Sequence, residues 1–283
     1  MIIDFHTHTY PKHLTKRIVD TLSAPSGVKI FTDATITGLT KSCEINNVDK
    51  SIVLPVATNP KQTEVLNRIA LETNETSDRL ISFGAIHPDN ADYRKIISSL
   101  HSNGIKGIKL HPVFQHTPAD DIRYKRIIEC ACEYGMIMSI HAGPDISNPT
   151  SDASLVFRIR NMLLDVKPDK MILAHMGGHF TWDEAEDMIA EYKSVTSEKC
   201  SLYIDTAFCL ELPGEYDDFN HPFIKNDQFI RICRSIGIDK VLWGTDSPWT
   251  DQGDSIRGIQ NSGLTKEEIS RILGLNARDL LAL

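Results

Sequence analysis

Eight short apolar runs, beginning near residues 2, 51, 80, 105, 136, 171, 203 and 241, recur along the 283-residue chain and alternate with segments of helical periodicity. Stretches such as Met136–Ile140, Met171–Ala174 and Val241–Trp243 lack the polar alternation of a half-exposed strand, so they suit parallel strands covered on both faces. Between the runs, helical patterns cover Thr63–Thr73, Tyr93–Ser102, Asp121–Tyr134, Ser154–Leu164, Asp183–Tyr192, Asn226–Ile236 and Asp254–Gln260. Strands alternating with helices form right-handed βαβ units, and eight of them predict an α/β chain folded as a (β/α)8 TIM barrel, one domain over residues 1–283. With 41% hydrophobic residues the chain can bury a core of that size. The first connection departs from the plan, because about 40 residues separate strands one and two and only Thr35–Asn46 has a convincing helical pattern. The rest of it reads as loop, better suited to a lid or substrate wall than to an idle insert.

Four of these runs stop at residues that bind metals: His6 and His8 after Ile2–Phe5, His141 after Met136–Ile140, His175 after Met171–Ala174, and Asp246 after Val241–Thr245. In a barrel these positions share the carboxyl-terminal mouth, where such folds keep their active sites. Side chains two apart in a strand point to one face, so His6 and His8 project together with Asp4 one step deeper. Taken singly, each could be bland: the first two an exposed pair in a turn, His141 or His175 a hydrogen-bonded core residue. The recurrence of one pattern at several strand ends favours a divalent metal site with a hydrolytic centre.

The formal net charge of −8, without clustered Lys and Arg, argues against nucleic acid or an anionic membrane as partner. No apolar run approaches the roughly 18 residues of a membrane span, and the first strand leaves no room for a targeting peptide, so the expectation is a cytoplasmic protein acting on a small molecule. A homo-oligomer is compatible with the sequence. The six cysteines, Cys43, Cys130, Cys132, Cys200, Cys209 and Cys233, lack zinc-finger spacing and read as reduced thiols.

His6-Thr7-His8, Gly107-Ile108-Lys109-Leu110-His111-Pro112, the histidines of strands five and six, and Gly244-Thr245-Asp246-Ser247-Pro248 together resemble the amidohydrolase superfamily. More narrowly the chain is similar to its "amidohydrolase family 2" branch, which includes aminocarboxymuconate-semialdehyde decarboxylase, related non-oxidative decarboxylases and many hydrolases. Leu264–Ile269 and Leu275–Leu281 resemble the closing segment of such proteins. The resemblance implies His6, His8, His141 and Asp246 as ligands of one divalent ion, Zn2+ with Mn2+ as the alternative, and His175 as a group contacting the metal's water or the substrate. Water on such a centre has a pKa near roughly 7, so Asp246 would accept its proton and His175 would stabilise charge or shuttle a proton.

Lys109 has two readings: a carboxylated lysine bridging two metals, as in binuclear relatives, or, in the favoured one-metal case, a cation that with His111 faces a substrate carboxylate. His87 sits similarly, with a structural hydrogen bond as the competing role. Asp4 is expected to orient a ligand histidine from behind. Trp249, together with His179, Phe180 and Trp182, suggests a partly apolar organic substrate, ordinary loop packing being the alternative. The long connection Asp205–Asp218, with its acidic Glu215–Asp218, follows strand seven. The leading expectation is metal-dependent hydrolysis of a C–N or C–O bond in an amide, lactam, lactone or ester. The alternative is non-oxidative decarboxylation of an aromatic or muconate-type acid, placed second because no arginine immediately follows a strand to anchor a carboxylate. A catalytically dead binding barrel would not need the intact ligand set.

Overall fold

The computed structural model describes residues 1–197, 201–210 and 223–283, with backbone alone for 23–26. Its strands are β1 (Ile3–Thr7), β2 (Lys50–Val53), β3 (Leu80–Ser82), β4 (Gly84–Ala85), β5 (Gly107–Leu110), β6 (Ile137–Ile140), β7 (Lys170–Leu173), β8 (Ser201–Asp205) and β9 (Val241–Leu242). Each lies on one of the eight apolar runs, β3 and β4 sharing the third with only Phe83 between them. The strand order is β1-β2-β3 and β4-β5-β6-β7-β8-β9, and the pairs β1–β2 and β4 through β8 are parallel. Past β9 the chain returns to β1: Phe5 N–H donates to Trp243 O (2.7 Å), Asp246 N–H to His6 O (2.8 Å) and His8 N–H to Ser247 O (2.7 Å). Parallel strands joined by helices in this order are those of a (β/α)8 TIM barrel.

The backbone groups into two compact units. One comprises Met1–Val53, Asp78–Leu80 and Asp205–Leu283, the other Leu54–Ser77 and Ile81–Ile204. In the first, Ile3, Phe5, Val241, Leu242 and Trp243 are wholly buried, and the Trp243 indole N–H is satisfied by Ser255 Oγ at 2.9 Å. Gly244 lets the segment after β9 lie against β1, because a Cβ there would come within 2.7 Å of His6 Cβ. In the second, Ile108, Leu110, Met138, Ile140, Ile172 and Leu173 form a continuous apolar core, as strands apolar on both faces require. Gly107 serves the same end there, since its Cβ would meet Phe83 Cε2 at 2.3 Å and Ile137 O at 2.6 Å.

Helices Tyr93–Ser102 and Asn226–Ile236 occupy the expected residues. Ile36–Asn46 and Ile122–Glu133 begin one residue later than read, because Thr35 and Asp121 are their N-caps and accept the N–H groups of Gly38 and Arg123. The first connection differs from expectation. A helix at Lys12–Ser26 occupies much of what reads as loop. Its apolar residues Leu14, Ile18, Val19 and Leu22 recur at helical spacing and are half-buried.

No described helix is long and apolar enough to cross a membrane. The five described cysteines are free thiols, and Cys200 lies outside the described residues.

Gly107→Ala should destabilise the protein by about 1–3 kcal/mol, because the closest backbone atom it meets cannot rotate away. Urea unfolding measures this, and an unchanged midpoint would show that β5 and β6 separate freely.

Candidate functional site

In the first unit, strand alternation brings the rings of His6 and His8 together, with their Nε2 atoms 3.2 Å apart. Asp246 follows β9 in a left-handed conformation (φ 64°), a backbone state that side-chain-bearing residues adopt where surrounding contacts impose it. Here the Asp246 N–H bond to His6 O imposes it. Its Oδ1 then lies 3.1 Å from His8 Nε2 and 3.5 Å from His6 Nε2. One ligand atom from each residue falls within 4.8 Å of the others, a spacing suited to a shared cation.

Behind this triad sits a carboxylate, but it is Asp205 at the end of β8: its Oδ2 lies 2.9 Å from His6 Nδ1, and both side chains are buried. Asp4, expected to hold a ligand imidazole, does something else. Its Oδ1 accepts the main-chain N–H of His6 (3.2 Å) and of Thr245 (3.0 Å), while Oδ2 accepts Thr245 Oγ1–H (2.6 Å) and Gln252 Nε2–H (2.8 Å). It therefore fixes the backbone from which His6 and Asp246 project. Burial pushes the Asp4 carboxyl up to about 7, against the pull of these donors. Burial and the Asp246 carboxylate also raise the Tyr10 phenol, which stays protonated.

In the second unit, His111, His141 and Asp145 are all buried, with Asp145 Oδ2 at 3.7 Å from His111 Nε2 and 3.8 Å from His141 Nε2. The His111 ring stacks on His141 with centroids 4.2 Å apart and on Phe114 at 4.0 Å. His141 Nδ1 is 3.0 Å from His175 Nε2, whereas its own Nε2 is buried without a hydrogen-bond partner. Burial, then the neighbouring His111, His175, Lys109 and His179, holds His141 well below the usual imidazole range, so it is neutral and has a lone pair to give. Lys109 is buried in β5, where its charge acts on His141.

His175 opens three consecutive left-handed residues, His175 (φ 58°), Met176 (57°) and Gly177 (82°), and Trp182 Nε1–H donates to its carbonyl at 3.2 Å. Trp182 is thus a buried support for His175, and Phe180 stacks on His179 at 3.8 Å. His87 takes the structural role among its two readings, accepting Asp89 N–H on Nδ1. Trp249 is part-buried, its N–H donating to Asp246 O at 3.0 Å. The acidic run Glu215–Asp218 lies outside the described residues.

The sequence reading missed Asp145, Asp205, Tyr10 and Gln115. Asp205 carries the signal used for Asp246, a carboxylate ending an apolar run. Asp145 stands four residues past His141 in a loop, where no periodicity applies. Gln115 is visible only in three dimensions. Its Nε2 donates to Ala57 O (2.9 Å) and Ile86 O (2.7 Å), and its Oε1 accepts His111 N–H (2.9 Å) and Tyr124 O–H (2.6 Å), so one satisfied amide ties three loops to His111.

Among solved structures the fold is similar to 5-carboxyvanillate decarboxylase from Sphingomonas paucimobilis (TM-score 0.70, 14% identity, 100% of this chain and 99% of that chain). It is also similar to a dihydroxybenzoic acid decarboxylase from Polaromonas sp. with bound manganese and the inhibitor 2-nitroresorcinol (0.67, 13%, 100% and 97%). A third is a probable 2-pyrone-4,6-dicarboxylic acid hydrolase from Acinetobacter baumannii with citric acid bound (0.65, 15%, 100% and 99%). By sequence, no curated protein matches. The family model described as amidohydrolase matches residues 3–283, nearly the whole chain, and the protein therefore belongs to that enzyme family, within the amidohydrolase superfamily.

Proposed function

We propose that the protein, as one barrel domain over residues 1–283, is a metal-dependent enzyme that removes CO2 from a small aromatic or muconate-type carboxylic acid. This reverses the order of the two expectations drawn from the sequence. The observation that carries it is the buried cluster of Lys109, His111, His141 and His175. The objection to decarboxylation was that no arginine immediately follows a strand to anchor a carboxylate; Lys109, buried within β5 with its charge acting on His141, can serve as that anchor instead. The decarboxylases of like fold from Sphingomonas paucimobilis and Polaromonas add support.

The residues fit a metal. Two imidazoles and a carboxylate converge in the first unit, and His141 keeps a buried, neutral Nε2 with no hydrogen bond. His6, His8 and Asp246 would hold one divalent ion, with His141 retained as the fourth ligand on the strength of the family resemblance. Nitrogen and carboxylate donors suit Zn2+ or Mn2+, and the manganese of the Polaromonas enzyme favours the latter. When bound, such an ion supplies Lewis acidity to substrate oxygens and acidifies water.

The chain's own residues do the rest. Lys109 and His111 offer charge and hydrogen bonds to a carboxylate. Loss of CO2 breaks the C–C bond and leaves its electron pair on carbon, and a proton must take the place of CO2. His175 is the donor proposed: were His141 to ligate through Nε2, its Nδ1–H would face His175 Nε2 at 3.0 Å, which would leave the exchangeable proton of His175 on Nδ1. Hydrolysis is the second reading, favoured by the pyrone dicarboxylic acid hydrolase of like fold. There Asp246 would accept the proton of the attacking water.

Purified protein should hold about one divalent ion per chain, and His6→Ala or Asp246→Ala should remove most of it. Full metal retention in a His6→Ala, His8→Ala double variant would overturn the site. His175→Ala should keep the metal and lower turnover by roughly 10²–10⁴-fold, whereas His141→Ala should lose both. If instead His175→Ala loses the metal and His141→Ala keeps it, the two roles are exchanged. To separate the reactions, the enzyme is given hydroxybenzoates and pyrone or lactone carboxylates. CO2 release from the former supports decarboxylation, and ring opening of the latter without CO2 release sinks it.

A further inference from the structure

Beside the first-unit triad stands a residue with no part in the reaction outlined above. Asp205 ends β8, and its two oxygens have different tasks: Oδ1 accepts the N–H of Ala207 at 3.1 Å, while Oδ2 faces His6 Nδ1 at 2.9 Å. The first bond sets the rotation of the carboxyl group, so the second is aimed rather than incidental. The turn is itself anchored, because Thr206 N–H donates to Leu242 O and Thr206 Oγ1 exchanges hydrogen bonds with Gly244, both at 3.1 Å. The missing side chain of Gly244 is what allows His6 to pack beside it. Asp205, His6 and Asp246 thus belong to one braced piece of backbone.

We propose that Asp205 is the positioning residue of the metal site: its carboxylate keeps the His6 proton on Nδ1, so that Nε2 presents its lone pair beside His8 and Asp246. This inference rests on the metal reading for its consequence, though not for its geometry. A neutral imidazole has one donor and one acceptor nitrogen, and the acceptor faces the metal only if the donor is engaged elsewhere. Asparagine has nearly the same shape but only one acceptor oxygen. With Ala207 N–H on one side and His6 Nδ1–H on the other, the amide of an Asp205→Asn variant must turn its NH2 toward one of these donors. Either the turn loses its bond, or His6 shifts its proton to Nε2 and loses its ligand lone pair.

The test has two arms. In metal-free wild-type protein at a pH where imidazole is neutral, nitrogen-15 NMR should show His6 as the Nδ1–H tautomer. An Nε2–H tautomer overturns the proposal and needs no variant that might misfold. In the second arm, Mn2+ and Zn2+ affinities are measured for wild type and Asp205→Asn, with circular dichroism as the check on folding. Affinity should fall by roughly 10–100-fold. Unchanged affinity in a folded Asp205→Asn variant overturns the proposal. Wild-type protein that binds neither ion defeats the metal reading instead, and the tautomer then decides the role of Asp205 alone.

Discussion

The main-chain hydrogen bonds that carry Phe5, His6 and His8 onto residues 243–247 are the constraint from which the first-unit site follows. Metal ligands must be held to a few tenths of an ångström, and side chains are held that closely only when the backbones bearing them cannot slide. His6, His8 and Asp246, the residues proposed as ligands, lie at opposite ends of the sequence, so local structure cannot hold them together. The bonded register does, with Asp4 as its buried lock. Four donors converge on that one carboxyl group, and two of them belong to the backbones of His6 and Thr245. A buried carboxyl is costly unless its hydrogen bonds are made. Its presence at the base of the site ties ligand placement to the stability of the fold.

The second unit solves the same problem with different parts. Gln115 holds three loops by a fully used amide, and Trp182 pins the carbonyl of His175 while its indole fills the core. Left-handed backbone at His175, Met176 and Asp246 marks where strands give way to chemistry-bearing turns. Such conformations persist only where packing and hydrogen bonds outweigh their cost.

This economy of parts explains why the fold leaves the reaction open. A set of imidazoles and carboxylates that can hold a cation serves equally to polarise a carboxylate or to acidify water. The difference lies in which group faces the substrate and whether a proton is delivered to carbon or withdrawn from water. The like folds include both decarboxylases and a pyrone hydrolase, at identities that speak for the fold alone. The buried lysine in β5 suits a substrate that carries a carboxylate, which decarboxylation always requires and hydrolysis only where the substrate happens to be an acid.

Much of this protein could be read without coordinates. Burial on both faces makes a strand continuously apolar, so all eight strand positions were legible, and the polar residue that ends each run marked His6, His8, His141, His175 and Asp246. The helix at Lys12–Ser26 falls where the sequence reads as loop, although Leu14, Ile18, Val19 and Leu22 recur at helical spacing. What only the tertiary structure decided is which carboxylate serves which histidine. Asp4, two residues from His6, was the natural candidate by proximity in sequence, yet the partner of the His6 ring is Asp205, 199 residues away. Strand alternation dictates the face on which a side chain emerges, but the neighbour it meets across a parallel sheet is set by register and by turns such as Asp205–Ala207, and those depend on contacts no local pattern encodes.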